Sequence, residues 1–346
     1  MPLIIGSFVF LCIKISISHP YHGNMTSQLP IVSIVIPLFN EEKVFTRLTE
    51  RLEKVMNTLP FSCEVILIDD GSKDSTGLLI RQKCLADRRY QGVILSRNHG
   101  HQLALSAGLS KVRCTDAVMV MDGDLQDPPE LIGEFYKLFC EGNDVIYAVR
   151  KNRKEGPLKK LAYWAYYRLQ KAVSNFEIPI DSGDFGMMSR RVVDHLNQMP
   201  EQSRYLRGMR SWIGFKQKAY AYDRSERTDG DSKYSLKQLM SLAFNGIFNF
   251  SEFPIKFITR LGMTTIIISL IYLVQTLYKK FVVGDVPIGF TALFIAIVLF
   301  SGVQLISIGI IGEYVLRIFF QVKNRPLYII AELIRDGESK ETTTNQ

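Results

Sequence analysis

Short apolar runs alternate with segments of helical periodicity between residues 31 and 149. The runs are Ile31–Ile36, Val65–Ile68, Val93–Leu95, Ala117–Met121 and Val145–Val149. Such runs, bounded by polar residues, are typical of strands buried on both faces of a parallel sheet. Apolar residues then recur every three or four positions from Val44 to Leu59, which predicts a helix with Asn40 as its N-cap. Strands that alternate with helices predict an α/β fold with a doubly wound, mostly parallel sheet.

Two uninterrupted apolar stretches lie near the C-terminus. Leu261–Tyr278 contains 18 residues without a charge, and Val286–Gly312 contains 27. Each is long enough to cross about 30 Å of hydrocarbon as a helix, so we expect a two-helix transmembrane hairpin. The basic residues outside its two ends are Lys256, Arg260, Arg317, Lys323 and Arg325. An excess of basic residues marks the cytoplasmic side, where we therefore expect both ends.

These stretches divide the chain into five predicted segments. The segments are an N-terminal extension (1–24), a sheet domain (25–235), an interfacial helix (236–260), two transmembrane helices (261–316) and a cytoplasmic tail (317–346). The extension contains an apolar run too short to span a bilayer and no signal-peptide pattern, so we expect that the native chain begins at Met25. The polar part of the tail, from Gly337, is expected to be disordered.

Charge and cysteine content narrow the class of protein. The net charge is +8, and basic residues cluster beside the apolar stretches, which favours anionic lipid or phosphate over nucleic acid as a partner. The segment Pro157–Phe176 mixes Lys, Arg, Trp and Tyr, and suits either a membrane surface or a core-packed helix with a solvated basic edge. Five scattered cysteines without a C-x-x-C pair indicate neither a zinc site nor a disulfide framework, and they fit a reducing compartment.

Polar residues follow the ends of the predicted strands, where a doubly wound sheet binds its ligands. They are Glu41, Asp69, Asp70, Arg97, Asp122, Asp124 and Arg150. Asp122 and Asp124 repel each other, so a fold that holds both would supply a cation, and Mg²⁺ or Mn²⁺ suits carboxylate oxygens. Gly123 is expected to bend the backbone so that both carboxylates face one point, and Asp127 to cap the next helix. The alternative for an isolated Asp-x-Asp is a polar turn. No G-x-G-x-x-G loop follows the first strand, so a dinucleotide site is not expected.

Six stretches in a fixed order carry a family resemblance. They are Val35–Glu42, Ile68–Asp74, Ser96–Gly100, Asp122–Pro128, Gly183–Phe185 and Ile311–Tyr314. In this order, ahead of a two-span hairpin, they resemble the inverting glycosyltransferases of the GT-A fold, a Rossmann-like sheet, that load a sugar onto a polyprenyl phosphate. The chain is similar to the bacterial bactoprenol glucosyltransferases, which are relatives of dolichyl-phosphate mannose synthases. The resemblance runs from about Leu29 to about Arg335.

The resemblance implies an activity and a location. It implies transfer of a hexose, glucose from UDP-glucose, to undecaprenyl phosphate with inversion, for modification of O-antigen or cell envelope. The reaction is expected at the cytoplasmic face of a bacterial inner membrane, with Mg²⁺ or Mn²⁺ as the cofactor. Relatives are tetramers, so a homotetramer is expected, with the hairpins and Tyr328–Ile334 as candidate contacts.

The resemblance also implies which residues form the site. The expected ligands of the nucleotide's base and ribose are Pro37, Glu41, Asp69 and Asp70. The expected residues around the metal and the diphosphate are Asp122, Asp124 and Gln126. Arg150 is expected to face the phosphates, and Asp184 to lie near the acceptor. The expected ligands of the lipid phosphate are Arg204 or Arg207, together with Lys233. The residues with an expected catalytic role are Asp124, Asp184 and Arg150.

The residues leave some roles open. A phosphate monoester has a second pKa of about 6 and is largely a dianion at neutral pH, so we interpret Asp184 as an orienting residue first and a general base second. Arg204, Arg207 and Arg210 fit either lipid-phosphate binding or a solvated basic face. We expect His99 and His101 to have loop or cap roles rather than to bind metal.

Competing functions also remain open. The same reaction with another nucleotide sugar, such as one of mannose, N-acetylglucosamine or aminoarabinose, fits the same residues. A processive polysaccharide synthase would carry a Gln-x-x-Arg-Trp motif and more spans, and neither is present. A membrane-tethered sugar-nucleotide-binding protein without activity is disfavoured because the acidic set is intact.

Overall fold

The apolar runs of the sequence form the strands of one sheet. The computed structural model describes residues 30–150, 182–223, 253–283 and 289–341. Several expectations lie outside the described residues. They are the extension 1–24 with a start at Met25, the segment Pro157–Phe176, Lys233, and the interfacial helix as far as residue 252.

Strands and helices alternate through the first half of the chain, as the pattern predicts. The strands are β1 (Val32–Leu38), β2 (Cys63–Asp69), β3 (Tyr90–Leu95), β4 (Ala117–Val120), β5 (Val145–Arg150), β6 (Ser182–Ser189), β7 (Gln217–Tyr222), β8 (Ile330–Arg335) and β9 (Glu338–Glu341). The helices are α1 (Glu42–Met56), α2 (Thr76–Ala86), α3 (His101–Leu109), α4 (Ile132–Cys140), α5 (Arg190–Gln198), α6 (Leu206–Ile213), α7 (Phe253–Tyr278) and α8 (Phe290–Val322).

The parallel strands lie at the centre of the sheet. The strand order is β7-β5-β6-β4-β1-β2-β3-β8-β9. Strands β4, β1, β2 and β3 run parallel to one another, whereas β6, β8 and β9 run antiparallel to their neighbours. The chain leaves β1 toward β2 on one side and returns to β4 on the other. The carboxyl ends of β1, β2 and β4 therefore meet at the topological switch point, where such sheets bind ligands.

Strand β6 contains the residues around Asp184, for which the apolar pattern predicts no strand. It is a central strand that pairs antiparallel with both β4 and β5, so β5 is not a direct neighbour of β4. The sequence concealed this strand because Gly183, Asp184 and Gly186 interrupt its apolar pattern. At Gly186 a Cβ atom would lie 2.5 Å from the carbonyl oxygen of Ile146, so only glycine allows this close pairing.

Helices cover both faces of the sheet, which explains why most residues of the parallel central strands are apolar. Along β1, Val32, Ile34 and Ile36 join the core beneath α1, α2 and α4. Val35 faces the opposite side and joins the core beneath α3, α5 and α6. Every residue of β1 is buried. This two-sided burial is the architecture that the near-continuous apolar runs predict.

Two helices are long and apolar enough to cross a membrane. The candidate spans are Phe257–Tyr278 and Phe300–Val322, and none of the residues in their most apolar windows is buried within the protein. Both helices extend beyond the charge-free runs: α7 begins at Phe253, and α8 continues to Val322. The structure thus contains two long helices with exposed apolar surfaces, as the sequence predicts.

The chain after α8 returns to the sheet, which corrects the expectation of a disordered polar tail. β8 pairs antiparallel with the edge strand β3, and β9 pairs with β8 through residues 338–341. Gln202, in the loop before α6, donates its backbone amide to Gln321 Oε1 at 3.0 Å, and Gln321 Nε2 donates to the carbonyl of Pro200 at 2.7 Å. The end of the second apolar helix is thus fastened to the sheet domain.

Side chains of the returning segment connect to a buried polar group. Glu64 is only 2% exposed and accepts from Ser33, Gln91 and Arg113. Arg335 of β8 donates to Gln91 Oε1 at 2.9 Å. A buried carboxylate is costly unless its oxygens are hydrogen-bonded, and these donors meet that need.

The central apolar contact of the returning segment is Ile334, which is fully buried beside Cys84. We predict that Ile334→Ala lowers the stability of this edge by about 3 kcal/mol, because the substitution leaves a cavity. Burial raises the pKa of the Cys84 thiol to about 12, so the thiol is unreactive while covered. Peptide-resolved labelling of Cys84 by a thiol reagent under native conditions should accelerate about tenfold or more.

Ile329→Ala is the matched control, because Ile329 is 47% exposed just before the same strand. Labelling of Cys84 in this variant should stay at the wild-type rate, since exposed substitutions change stability by about 0.5 kcal/mol or less. Equal labelling rates in the two variants would contradict the assignment of β8 to the core.

Candidate active site

The loops after β1 and β2 are cross-linked at the rim of the sheet. Asn40 donates its amide to Ser72 Oγ at 3.0 Å, and its side-chain oxygen accepts from the amide of Lys73 at 2.8 Å. Asn40 has a φ of 53°, and the N-cap of α1 is Glu41, so the expectation of Asn40 as the cap is wrong. Glu41 donates its amide to Thr76 Oγ1 at 2.9 Å. The two loops therefore form one rigid wall, with buried Pro37 at its base.

Asp69 and Asp70 organise the next part of the rim from a buried position. Asp69 Oδ1 accepts from the amide of Ser72 at 2.9 Å. Asp70 accepts from two successive amides, those of His99 at 2.7 Å and Gly100 at 3.0 Å. Burial raises the pKa of Asp70, although these two amides oppose the rise. Asp70 thereby holds the turn that leads into α3.

Gly71 makes this turn possible. Its φ is +67°, and a Cβ atom would lie 2.4 Å from the carbonyl carbon of Arg97. Only glycine tolerates both the left-handed backbone and the close approach of the second loop.

The stretch after β4 alternates between buried and partly exposed positions. Gly123, Leu125 and Asp127 are buried, whereas Asp122 and Asp124 are partly exposed, as is Gln126. Residues 123 and 124 form a turn and Leu125 is left-handed, so this alternation is one of burial: Asp122, Asp124 and Gln126 are the positions of the stretch that reach the surface of the rim. Asp124 Oδ1 accepts from the backbone amide of Gln126 at 3.1 Å, which fixes the backbone between these two residues.

One expectation about this stretch needs correction, and another gains a physical reason. The backbone turns at Gly123 without a positive φ, whereas the φ of Leu125 is +61°. Glycine is required because a Cβ atom at position 123 would lie 2.3 Å from Leu38 Cδ2. Asp127 is not a helix cap: it is 1% exposed and accepts from the hydroxyl of Tyr222 at 2.7 Å.

Asp184 lies beside Asp122 because of the register between β4 and β6. The last antiparallel pair is Val120 with Gly186, and two further residues along each strand are Asp122 and Asp184. Both carboxylates thus leave the sheet at the same edge, on adjacent strands.

The carboxylate of Asp184 accepts from three side chains. Arg207 donates from Nε to Oδ1 at 2.8 Å and from Nη2 to Oδ2 at 3.2 Å. Gln102 Nε2 donates to Oδ2 at 3.0 Å, and His101 Nε2 lies 3.3 Å from the same oxygen. Burial disfavours the charged form, but Arg207 and His101 outweigh it and hold the pKa of Asp184 well below its usual range. Asp184 is therefore a permanently ionised anchor.

His101 connects the two carboxylates. Its Nε2 lies 3.8 Å from Asp122 Oδ1, in addition to its contact with Asp184. Burial would lower the pKa of His101, but the hydrogen bond to Asp184 and the charge of Asp122 raise it overall. From the sequence, only a loop or cap role is predicted for His101, and this position between the carboxylates is not. The available signal was its place at the first turn of the helix that follows the third strand.

Gln102 joins the anchor to α6. Its side-chain oxygen accepts from the amide of Leu206 at 2.9 Å, while its nitrogen donates to Asp184. One side chain thus fixes both the carboxylate and the start of the helix that carries Arg207. No pattern along the chain indicates a role for Gln102, because its contact with Leu206 joins residues that are 104 positions apart in the sequence.

The three arginines at the end of the sheet domain differ in their surroundings. Arg204 is buried and donates to the carbonyls of Leu196 at 2.9 Å and Met199 at 2.6 Å, at the C-terminal end of α5. Arg207 grips Asp184. Arg210 is 4% exposed and lies over the ring of Tyr147, with 5.6 Å between the guanidinium carbon and the ring centroid. A solvated basic face is therefore the wrong interpretation for Arg204 and Arg210.

Two further residues are expected in the site, Arg150 and Lys233. Arg150 is the last residue of β5, where its backbone pairs with Tyr222, and its side chain lies outside the described part. Lys233 lies outside the described residues altogether.

The carboxylates of Asp122 and Asp124 and the amide oxygen of Gln126 form a donor set that fits Mg²⁺ or Mn²⁺. All are hard oxygen ligands, and such ions usually take one or two carboxylates and leave further positions for substrate phosphates. The described residues contain no group of three or more His, Cys, Asp or Glu side chains arranged around a metal position. Asp122, Asp124 and Gln126 thus offer oxygen donors of the type that these ions prefer.

Comparison with known proteins places this site in a family. Residues 33–196 match Glycosyl transferase family 2. The uncharacterized glycosyltransferase YkcC of Bacillus subtilis is 40% identical over 299 residues, which are 86% of this chain and 92% of that protein. The SfII prophage-derived bactoprenol glucosyl transferase of Shigella flexneri is 37% identical over 301 residues, which are 86% of this chain and 97% of that protein.

Solved structures give a weaker likeness. Mannosyl-3-phosphoglycerate synthase from Rubrobacter xylanophilus is 15% identical with a TM-score of 0.42, over 62% of this chain and 71% of that one. The mannosyltransferase PcManGT from Pyrobaculum calidifontis, in complex with GDP-Man and Mn²⁺, is 14% identical with a TM-score of 0.39, over 64% and 66%.

The relatives cover nearly the whole described chain, and the family match runs from β1 into α5. The expected GT-A-like α/β domain is confirmed, together with two long apolar helices near the C-terminus. The chain belongs to glycosyl transferase family 2 and is a glycosyltransferase.

Proposed function

We propose that the protein transfers glucose from UDP-glucose to undecaprenyl phosphate, with inversion, at the cytoplasmic face of a bacterial inner membrane. The observation that supports this best is the contact of His101 with both Asp122 and Asp184, because it brings a metal-type carboxylate and an arginine-bound carboxylate to one rim. Relatives named bactoprenol glucosyl transferases are 36% and 37% identical to the chain. The product is a lipid-linked sugar for modification of O-antigen or cell envelope.

On the donor side, the proposed ligands of base and ribose are Pro37, Glu41, Asp69 and Asp70. The cross-linked loops after β1 and β2 form the wall for this nucleoside. Asp69 and Asp70 act mainly by holding the loops, because their oxygens accept from backbone amides. Asp122, Asp124 and Gln126 would hold Mg²⁺ or Mn²⁺ beside the diphosphate, and Arg150 would face the phosphates.

The bound cation supplies Lewis-acid stabilisation of the charge on the departing diphosphate. The chain's own residues do the rest. Asp122 and Asp124 would hold the cation, and His101 keeps Asp122 in position relative to Asp184. Such preorganised charge is effective because it costs no reorganisation during the reaction.

On the acceptor side, Arg207 and Lys233 are the proposed ligands of the lipid phosphate. The contacts of Arg204 with backbone carbonyls give it a supporting place instead. A phosphate oxygen attacks the anomeric carbon of the sugar on the face opposite the leaving diphosphate. Asp184 orients Arg207 and His101 and takes no proton, because its carboxylate is already bound by three donor side chains.

The apolar helices α7 and α8 hold the site at the bilayer. The basic residues at the ends of the spans, including Arg260, Lys323 and Arg325, support a cytoplasmic location of those ends. The homotetramer remains a proposal based on resemblance. Residues 330–334 of its suggested contact Tyr328–Ile334 pair with β3 of the same chain.

An assay with membranes, undecaprenyl phosphate, Mg²⁺ and a panel of radiolabelled nucleotide sugars tests the proposal. We expect a lipid that carries a single glucose, formed from UDP-glucose. A single-sugar lipid from mannose, N-acetylglucosamine or aminoarabinose nucleotides would correct the donor. A polymer would favour the processive synthase, and no product with any donor would favour a binding protein without activity.

We predict that Asp124→Asn lowers turnover by about 10²-fold or more, because it removes a principal electrostatic stabiliser. Metal-dependent binding of UDP, measured by calorimetry, should weaken in parallel. Asp194→Asn is the matched control, since Asp194 pairs with Arg190 on the exposed side of α5 and lies outside the site. Near-normal turnover of Asp124→Asn would contradict the metal assignment.

We predict that Asp184→Asn lowers kcat/KM by about 10- to 100-fold, because Arg207 and His101 lose their common anchor. The wild-type rate should rise with pH through the ionisation of the acceptor phosphate, near 6. The variant should keep that rise, since Asp184 with its depressed pKa is already ionised throughout this range. A pH–rate profile of both proteins measures this. Loss of the rise in the variant would restore the role of general base.

A further inference from the structure

Arg210 is a buried cation, and two of its donor atoms, Nε and Nη2, have no acceptor among the described residues. The side chain is only 4% exposed, so water does not readily replace a protein partner. Buried polar groups are nearly always hydrogen-bonded, and a buried charge without a hydrogen-bonding partner is especially costly, so this exception requires an explanation.

The unused atoms form the edge that recognises anions. Nε and Nη2 of a guanidinium point in parallel and can bind two oxygens of one carboxylate or phosphate. Arg207, one helical turn earlier on α6, uses this same pair of atoms to grip Asp184. Arg210 therefore presents an identical fork one turn further along, without the carboxylate that Arg207 has.

The charges around Arg210 leave a positive surplus. Asp184 attracts Arg210, while Arg207 repels it, and Arg207 already forms the direct ion pair with Asp184. The ring of Tyr147 offers only a cation–π contact at 5.6 Å. Burial lowers the pKa of Arg210 to about 10, which still leaves the group protonated at neutral pH. One carboxylate thus serves two guanidinium groups, that of the partly exposed Arg207 and that of the buried Arg210.

We propose that Arg210 is an anion receptor of the active site, which binds phosphoryl oxygens of a ligand through Nε and Nη2. The inference rests on the proposed function for the identity of the ligand, which is either the acceptor's phosphate monoester or the donor's diphosphate. Both present paired oxygens that match the fork. In the absence of ligand, the protein keeps a desolvated positive charge in place, so binding needs little rearrangement of Arg210.

Binding measurements on the detergent-solubilised full chain test the proposal without turnover. The probes are undecaprenyl phosphate, UDP with Mg²⁺, and inorganic phosphate, each titrated into wild type and Arg210→Lys. Lysine keeps the charge but loses the fork, so affinity for at least one probe should fall about 10-fold or more. Arg190→Lys is the control, because its arginine donates to Asp194 and to backbone carbonyls, and affinities should stay within about twofold.

The pattern across the probes separates the sources. A loss for the lipid alone assigns Arg210 to the acceptor, and a loss for UDP alone assigns it to the donor. If wild type binds inorganic phosphate through Arg210 but neither substrate, the anion receptor stands and the proposed function fails. Wild-type affinity of Arg210→Lys for all three probes would overturn the inference, as would the failure of wild type to bind any of them.

Arg210→Met distinguishes loss of the receptor from loss of the fold. Removing a buried charge without a hydrogen-bonded partner should leave the thermal midpoint of the ligand-free protein unchanged or higher. The stabilisation that the bound probe gives to wild type should disappear in this variant. A lower midpoint with ligand stabilisation intact would assign Arg210 a structural role instead.

Discussion

The buried carboxylate of Asp184 is the group on which the site depends. It is 7% exposed as a side chain and would be unstable there without its donors. Arg207, His101 and Gln102 supply those donors from α6 and α3. His101 also contacts Asp122, and Gln102 also contacts the start of α6. The neutralisation of the charge of Asp184 therefore sets the relative positions of β4, β6, α3 and α6.

The connection between the sheet and the apolar helices has a second physical basis. A sheet edge that is left open offers unpaired backbone groups, and β8 closes the edge at β3. The same segment follows α8 directly and is linked through Gln202 and Gln321 to the loop before α6. The position of the second apolar helix and the pairing of the sheet edge are therefore coupled.

Most of the strands, the order of the helices and the acidic rim could be predicted from the sequence. The reason is that β1 to β5 each carry a run of apolar residues, broken at few positions such as Glu64 and Gln91, whereas polar residues follow each run at the rim. β6 and β8 escaped prediction for a common reason: their patterns are interrupted by Gly, Asp, Glu or Arg. These polar residues are satisfied only by partners distant along the chain, such as Arg81 for Glu332.

The sequence by itself determined the class of fold, the two apolar spans and the carboxylates Asp122 and Asp124, because hydrophobic period, run length and residue type are local properties. Only the tertiary structure decided that Asp184 stands opposite Asp122, that His101 lies between them, and that Arg204, Arg207 and Arg210 have three different environments. Those facts depend on strand register and on charge neutralisation across distant segments, and neither leaves a periodic signal along the chain.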